Sequence, residues 1–186
     1  MGVMTALPRV VGEWTVDDVD RLPDDGLQYE LLDGVLLVTP APTMWHQRAT
    51  GNIFVRLRDA CPPGFEVFFA PLDWRPDRLT SLQPDVLVVR NEEVREGDIG
   101  AAMVLAVEVL SPSTSRKDRV LKRSRYEEAG VASYWLVDPV EPSFEALDLV
   151  DGVYASTTRV TGDATARMEL PFAFEVVPAE LVRPPE

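Results

Sequence analysis

The chain has 186 residues, 46% of them hydrophobic, and its 18 Lys and Arg against 31 Asp and Glu give a net charge of −13. This length fits one soluble globular domain with a single core and leaves no room for an ordinary second one. One cysteine, Cys61, excludes an intramolecular disulfide framework and a multi-cysteine zinc site, and one histidine, His46, excludes a histidine-rich metal cage.

No basic segment followed by a long apolar run opens the sequence, and no apolar stretch reaches 18 residues. Neither export nor a membrane span is therefore expected, and the cytoplasm is the expected compartment. The acidic balance opposes diffuse attraction to nucleic acid unless basic groups are concentrated locally. They are: RKDRVLKRSR, from Arg116 to Arg125, carries six basic residues against one acid and holds both lysines of the chain, Lys117 and Lys122.

In chain order, Thr15 followed by Asp18 reads as a capping box that opens a short helix ending near Leu22, before Pro23. YELLDGVLLVTP reads as two strands joined by Asp33-Gly34, a type I′ hairpin signal, with Glu30 on the first strand. Thr43 caps a helix through MWHQRATGNIFVRLRDA, whose Trp45, Ile53, Phe54 and Leu57 fit one stripe, and Cys61-Pro62-Pro63-Gly64 ends it. FEVFFAPLDW reads as a strand or a bent pair of strands, and PDVLVV and MVLAVEVL as apolar strands buried on both faces. A helix spans about Ser113 to Ala129 with Gly130 beyond its end, and ASYWLVDP is a further buried strand. FEALDLVDGVYASTTRV is a second Asp-Gly hairpin, and a short helix lies near Pro178 to Val182. The order predicts an α/β fold with a mixed central sheet.

Two carboxylates stand where carboxylates are costly. Asp85 opens the strand Val86 to Val89, and Glu108 lies between Val107 and Val109 inside an apolar strand. A buried charge of this kind is normally paired, protonated or bound to a metal. The ordinary reading pairs Glu108 with an arginine and lets Asp85 cap a turn. The sharper reading is a shared site on neighbouring strands, suited to a hard divalent cation such as Mg²⁺ or Mn²⁺. Lys122 adds an ammonium that can offset charge on a scissile phosphate, which points to phosphodiester hydrolysis. Lys122 lies four residues from both Asp118 and Tyr126 on one helical face, and its ordinary alternative is a surface pair with Asp118.

The motifs Tyr29-Glu30-Leu-Leu-Asp33-Gly34, His46, Gln83-Pro84-Asp85, Val107-Glu108-Val-Leu-Ser111-Pro112-Ser113-Thr114, Asp118 with Lys122 and Tyr126, and Tyr134-Trp135-Leu-Val-Asp138-Pro139 occur in this order. They resemble the Uma-type restriction endonuclease family, a branch of the PD-(D/E)XK nuclease superfamily. The resemblance implies a restriction endonuclease-like core, a central mixed β-sheet flanked by α-helices with two β-hairpins. It divides the domain into an N-terminal helical extension over 1–26, a nuclease core over 27–139, and a C-terminal hairpin and tail over 140–186. It implies Asp85 and Glu108 as metal ligands. The superfamily's lysine would stand two positions after Glu108, where this chain has Leu110, so the role passes to Lys122, with Lys117 second. The acid often found on the first core helix is missing between Met44 and Arg58, and Glu30 is the candidate to supply it.

His46 is the candidate proton carrier or phosphate-orienting group. Gln83 either holds a water or caps its strand, Ser111 to Thr114 set a turn, Tyr126, Tyr134 and Trp135 belong to the core, and Cys61 has no catalytic role. Arg116, Lys117, Arg119 and Arg123 are the candidates for contact with a DNA backbone. The reading that follows is a Mg²⁺- or Mn²⁺-dependent endonuclease acting on DNA, with two-strand cleavage favouring a homodimer and no membrane association. The alternatives are a non-catalytic nuclease-fold binding or regulatory module, and a metal-dependent hydrolase of a smaller phosphorylated substrate. Specificity is expected from loops such as Arg75 to Ser81 or Asn91 to Gly100, or from a partner.

Overall fold

The computed structural model describes residues 13–39, 41–94, 99–111, 115 and 117–184, with Ala101 and Lys117 described at the backbone only. Its frame is a six-stranded mixed sheet, whose order and residues explain where the acidic residues meet.

The sheet comprises β3 (Phe65–Phe69), β6 (Val86–Arg90), β7 (Met103–Val109), β8 (Ser133–Asp138), β9 (Ser143–Val150) and β10 (Val153–Thr161), in the order β10-β9-β8-β7-β6-β3. All neighbours are antiparallel except β7 and β8, which run parallel with Glu108 beside Leu136. The parallel pair needs a crossover, and the basic segment supplies it: a π-helical stretch Lys117–Lys122 leading into α3 (Arg123–Glu128). A second sheet of four short strands has the order β2-β1-β5-β4. It joins the hairpin β1 (Gln28–Leu32) and β2 (Val35–Thr39) to β4 (Trp74–Asp77) and β5 (Thr80–Leu82).

Because successive strand residues face opposite sides, the near-continuous apolar runs of β6 and β7 feed two cores. Val86, Val88, Leu105 and Val107 pack beneath α2 (Met44–Ala60), with its Ala49, Ile53 and Leu57, and near Leu181 of α4 (Pro178–Val182). Leu87, Val89, Ala106 and Leu110 face the other way, toward Leu32, Trp74, Leu82, Tyr126 and Tyr134. Glu108 shares its parity with Ala106 and Leu110, so its side chain enters this second layer, between the small sheet and the crossover helix.

The expected elements are present. Thr15 and Asp18 form the capping box before α1 (Val16–Val19), and Thr43 Oγ1 accepts from the His46 amide at 3.3 Å at the start of α2. Both Asp-Gly turns adopt positive φ at both residues, 49° and 77° at Asp33 and Gly34, 51° and 82° at Asp151 and Gly152.

Three details differ from expectation. Trp45 is 48% exposed, because the buried stripe of α2 runs through Ala49, Thr50, Ile53 and Leu57 instead. The bent pair at FEVFFAPLDW is two strands in different sheets, and β11 (Ala166–Met168) with β12 (Phe174–Val176) forms an additional small hairpin. The helix read from Ser113 is π-wound over its first described turns, and Ser113 and Thr114 lie outside the described residues. No described helix is long and apolar enough to cross a membrane.

Candidate active site

Asp85 sits at the end of β6 where the chain enters the sheet. Its Oδ2 accepts from the Val109 amide at 2.7 Å, which anchors the carboxylate at the end of β7, one residue beyond Glu108. The two acids singled out in the sequence are thus neighbours through adjoining strands, as the antiparallel pairing of Val86 with Val107 requires.

Glu30, Glu108, Asp118 and Lys122 are all buried, between 2% and 5% exposed. Lys122 Nζ lies 2.9 Å from Glu30 Oε1, 3.0 Å from Glu108 Oε1 and 3.9 Å from Asp118 Oδ1. The alternative of a surface Asp118–Lys122 pair is therefore excluded, and Glu30 is likewise no exposed strand charge. Glu108 does pair with a cation, but with this lysine and not with an arginine. Tyr126 Oη donates to Glu108 Oε1 at 3.0 Å, the Gln83 amide donates to Glu30 Oε1 at 2.9 Å, and Tyr134 Oη donates to the Asp118 carbonyl at 2.9 Å. The tyrosines are core residues, as expected, yet their hydroxyls support the acidic cluster.

Burial disfavours every charge here, and the electrostatics follow from four carboxyl groups facing one ammonium. Burial alone would push the Lys122 ammonium down, but Glu108, Glu30 and Asp118 more than reverse this and hold it well above the ordinary lysine range. Glu108 is raised well above the usual carboxylate range, first by burial and then by Asp118, Asp85 and Glu30, with Lys122 pulling the other way. Burial likewise raises Tyr126 and Tyr134, so both hydroxyls remain donors.

His46, on the first turn of α2, places Nε2 3.3 Å from Asp85 Oδ2 and Nδ1 3.4 Å from Thr50 Oγ1. Burial lowers its proton affinity, but the hydrogen bond and charge of Asp85 outweigh burial and leave it raised.

These groups line one cleft of about 780 Å³ that includes Glu30, His46, Asp85, Glu108, Asp118 and Lys122. One wall comes from α1 and the chain beyond it, including Asp20 and Leu22 to Asp24, and another from Asp73, Arg75 and Gln83. Seven carboxylates line it against two fixed cations, Arg75 and Lys122, among the described residues.

The donor set is all oxygen, which suits a hard divalent cation and not zinc. Asp85 and Glu108 would be its ligands, with Glu30 the third acid. As the described residues stand, one oxygen each of Glu30 and Glu108 is turned to Lys122, and no group of three or more His, Cys, Asp or Glu side chains is arranged to hold a metal ion. The excess of negative charge over Lys122 is what a divalent ion would offset.

The basic segment is distributed elsewhere. Arg119 faces Glu145 at 3.4 Å, Arg123 donates to the Tyr154 carbonyl at 3.0 Å, and Arg125 pairs with Asp33 and Asp77. Neither Arg119 nor Arg123 lines the cleft, Arg116 lies outside the described residues, and Lys117 is described only at the backbone. Sequence reasoning gave three cleft residues no role in the site. Asp118 was visible in the Asp-x-x-x-Lys-x-x-x-Tyr spacing, whereas Arg75 stood only at the start of a candidate loop and Asp73 only inside the FEVFFAPLDW strand reading.

Comparison with known proteins agrees with this architecture. A family model described as Uma2, putative restriction endonuclease, matches residues 16–180. The crystal structure of a putative nuclease from Anabaena variabilis superimposes with a TM-score of 0.73 at 20% identity, covering 90% of this chain and 97% of that one. At that identity the likeness establishes a shared fold, here the restriction endonuclease-like one. No curated protein matches the chain. With nearly its whole length matched by the family model, the chain belongs to the Uma2 putative restriction endonuclease family.

Proposed function

We propose that the protein is a Mg²⁺- or Mn²⁺-dependent endonuclease that hydrolyses DNA phosphodiester bonds with water as the nucleophile. The observation that carries this reading is Lys122, a lysine buried between Glu30 and Glu108 in the same cleft as Asp85. Outside such a site, an arrangement with this excess of buried acid would be strongly unfavourable. A divalent ion held by Asp85 and Glu108, with Glu30 beside them, would activate water and offset charge on the scissile phosphate.

The roles of the protein's own groups follow from their protonation. Lys122 remains charged, so it serves as a fixed cation for the charge developing on phosphate and not as a base. Tyr126 and the Gln83 amide fix the carboxylates that hold it. His46 faces Asp85 through Nε2, which raises its proton affinity, and it lines the cleft, so it would be the group to pass a proton to the leaving oxygen. Arg119 and Arg123, which do not line the cleft, would meet a backbone outside it, and Arg116 and Lys117 of the same segment are further candidates for that contact. A homodimer would present two sites to the two strands of a duplex.

The size of the acid-rich cleft, about 780 Å³, favours one second reading, a metal-dependent hydrolase of a smaller phosphorylated substrate. The test is nicking of supercoiled DNA at low salt with Mg²⁺ or Mn²⁺, beside Asp85→Asn, Glu108→Gln and Lys122→Met. The reading expects cleavage that falls by roughly 100-fold or more in each variant. Absence of cleavage with either ion overturns it and leaves the smaller substrate or a non-catalytic binding module.

A further inference from the structure

Arg75 is the one arginine that lines the cleft among the described residues. Its guanidinium is fully engaged. Nη1 and Nη2 reach the two oxygens of Asp20 at 3.2 Å and 2.6 Å, Nη2 also reaches Asp73 Oδ2 at 2.7 Å, and Nε donates to Ser81 Oγ at 3.2 Å.

The partners differ in kind. Asp73 is itself held from behind, since Gln83 Nε2 donates to its Oδ1 at 2.8 Å, and the amide of the same Gln83 donates to Glu30 in the Lys122 cluster. Asp73 and Ser81 thus aim Arg75 and tie it to the site. Asp20 lies at the end of α1, across the cleft wall, and its side chain is 50% exposed. An exposed carboxylate is a weak partner, easily replaced. The fork that grips it in two-point fashion is equally matched to two oxygens of a phosphate.

We propose that Arg75 grips a substrate phosphate next to the one that reacts, and that Asp20 occupies the guanidinium until that phosphate displaces it. The inference rests on the nuclease reading and adds to it the residue that positions the strand. A guanidinium still fixed by Asp73 and Ser81 would exchange one anion for another without leaving its place. Asp20 would be released with the segment that walls the cleft, and the sole cleft arginine would read one phosphate of the backbone. The same exchange makes the acidic cleft selective, because an anion that cannot displace Asp20 meets, among the charged side chains that line it, the carboxylates, His46 and the buried Lys122.

The test is direct binding of a short fluorescein-labelled oligothymidylate by the full chain in EDTA, where no hydrolysis intervenes, followed by anisotropy over a range of NaCl concentrations. Asp20→Asn should bind roughly tenfold more tightly than the unaltered protein, and Arg75→Gln roughly tenfold more weakly. The slope of log affinity against log salt should fall by about 0.7 in Arg75→Gln, one phosphate contact on a single strand, and be restored in Arg75→Lys. An unchanged slope in Arg75→Gln overturns the inference, because an Arg75 that merely braces α1 shifts affinity without removing a phosphate contact. Should Arg75→Gln not fold, Asp20→Asn decides, since it leaves Arg75 on Asp73 and Ser81: tighter binding supports the inference, and unchanged or weaker binding overturns it. Binding that follows Asp20 and Arg75 in a protein that cuts no DNA keeps this inference and removes the nuclease reading. Cleavage with binding indifferent to both residues does the reverse.

Discussion

Lys122 is the residue on which the site turns, because it is the single ammonium set against a cluster that would otherwise be buried acid alone. Replacing it with methionine preserves volume but takes the donor from Glu30 and Glu108. Breaking a buried pair from one side costs about 3–5 kcal/mol, so urea unfolding in EDTA should show a loss of that size in Lys122→Met. A loss under about 1 kcal/mol would mean that water or protonation relieves the cluster and that the lysine is not its keystone. Cys61 offers a contrasting titration. Burial, aided by the charge of Glu66, raises its thiol above the ordinary value of 9.0. Only the thiolate reacts, so alkylation by iodoacetamide should be slow at neutral pH and climb through pH 9 and beyond, later than for a free peptide thiol. A rate that levels off below pH 8 would contradict this. At this scale the sequence disclosed the costly residues. Glu108 stood out as a charge inside an apolar strand, Asp85 as an acid at a strand entrance, and Lys122 as one of two lysines in the chain. Asp73 and Arg75 did not stand out, because a polar Asp and Arg at the start of a short strand become cleft residues only when α1 and β5 are brought against them.

Elements were legible where local chemistry and tertiary packing agree. The Asp-Gly turns, the capped α2 and the apolar strands β6 and β7 each carry a local signal that the fold then uses. The strands β4, β5, β11 and β12, of three or four residues each, carry none, since pairing partners and not propensity define them. The π-helical turn was hidden for the same reason: Asp118 and Lys122 are both drawn inward by the acidic cluster, and wide turns of this kind concentrate at functional sites. Two glycines test how far the backbone itself contributes. Gly51 is exposed in the middle of α2, and a Cβ there would meet nothing within 4 Å. Gly51→Ala should therefore stabilise the protein by about 0.5–1 kcal/mol. Gly152 also has open space around it but sits at φ +82° in the β9–β10 turn, so Gly152→Ala should destabilise by about 1–2 kcal/mol. Chemical denaturation of the two variants should show shifts of opposite sign. Equal signs would show that neither turn strain nor helix propensity governs these positions.

At the scale of the molecule, the mixed sheet was legible from the order of its strands, but the fate of the basic segment was not. A net charge of −13 with one basic stretch invites the expectation of a cationic docking surface. Among its described side chains, Lys122 enters the cluster, Arg125 clasps Asp33 and Asp77, and Arg119 meets Glu145. The protein is acidic overall and its cleft is acidic, and such a molecule is stabilised by cations in two separable ways. Any salt screens the repulsion among surface carboxylates. A divalent ion held by Asp85 and Glu108 would do more, because it binds the folded chain and not the unfolded one. At 100 times its dissociation constant such an ion adds about 2.7 kcal/mol. For a chain of this size that corresponds to a rise in Tm of about 5–10 °C. MgCl₂ or MnCl₂ should therefore raise Tm well beyond NaCl of equal ionic strength. An Asp85→Asn, Glu108→Gln double variant should keep the response to NaCl and lose the divalent excess. If divalent and monovalent salts act alike on the unaltered protein, the cleft does not hold a divalent ion, and Lys122 alone balances its acids.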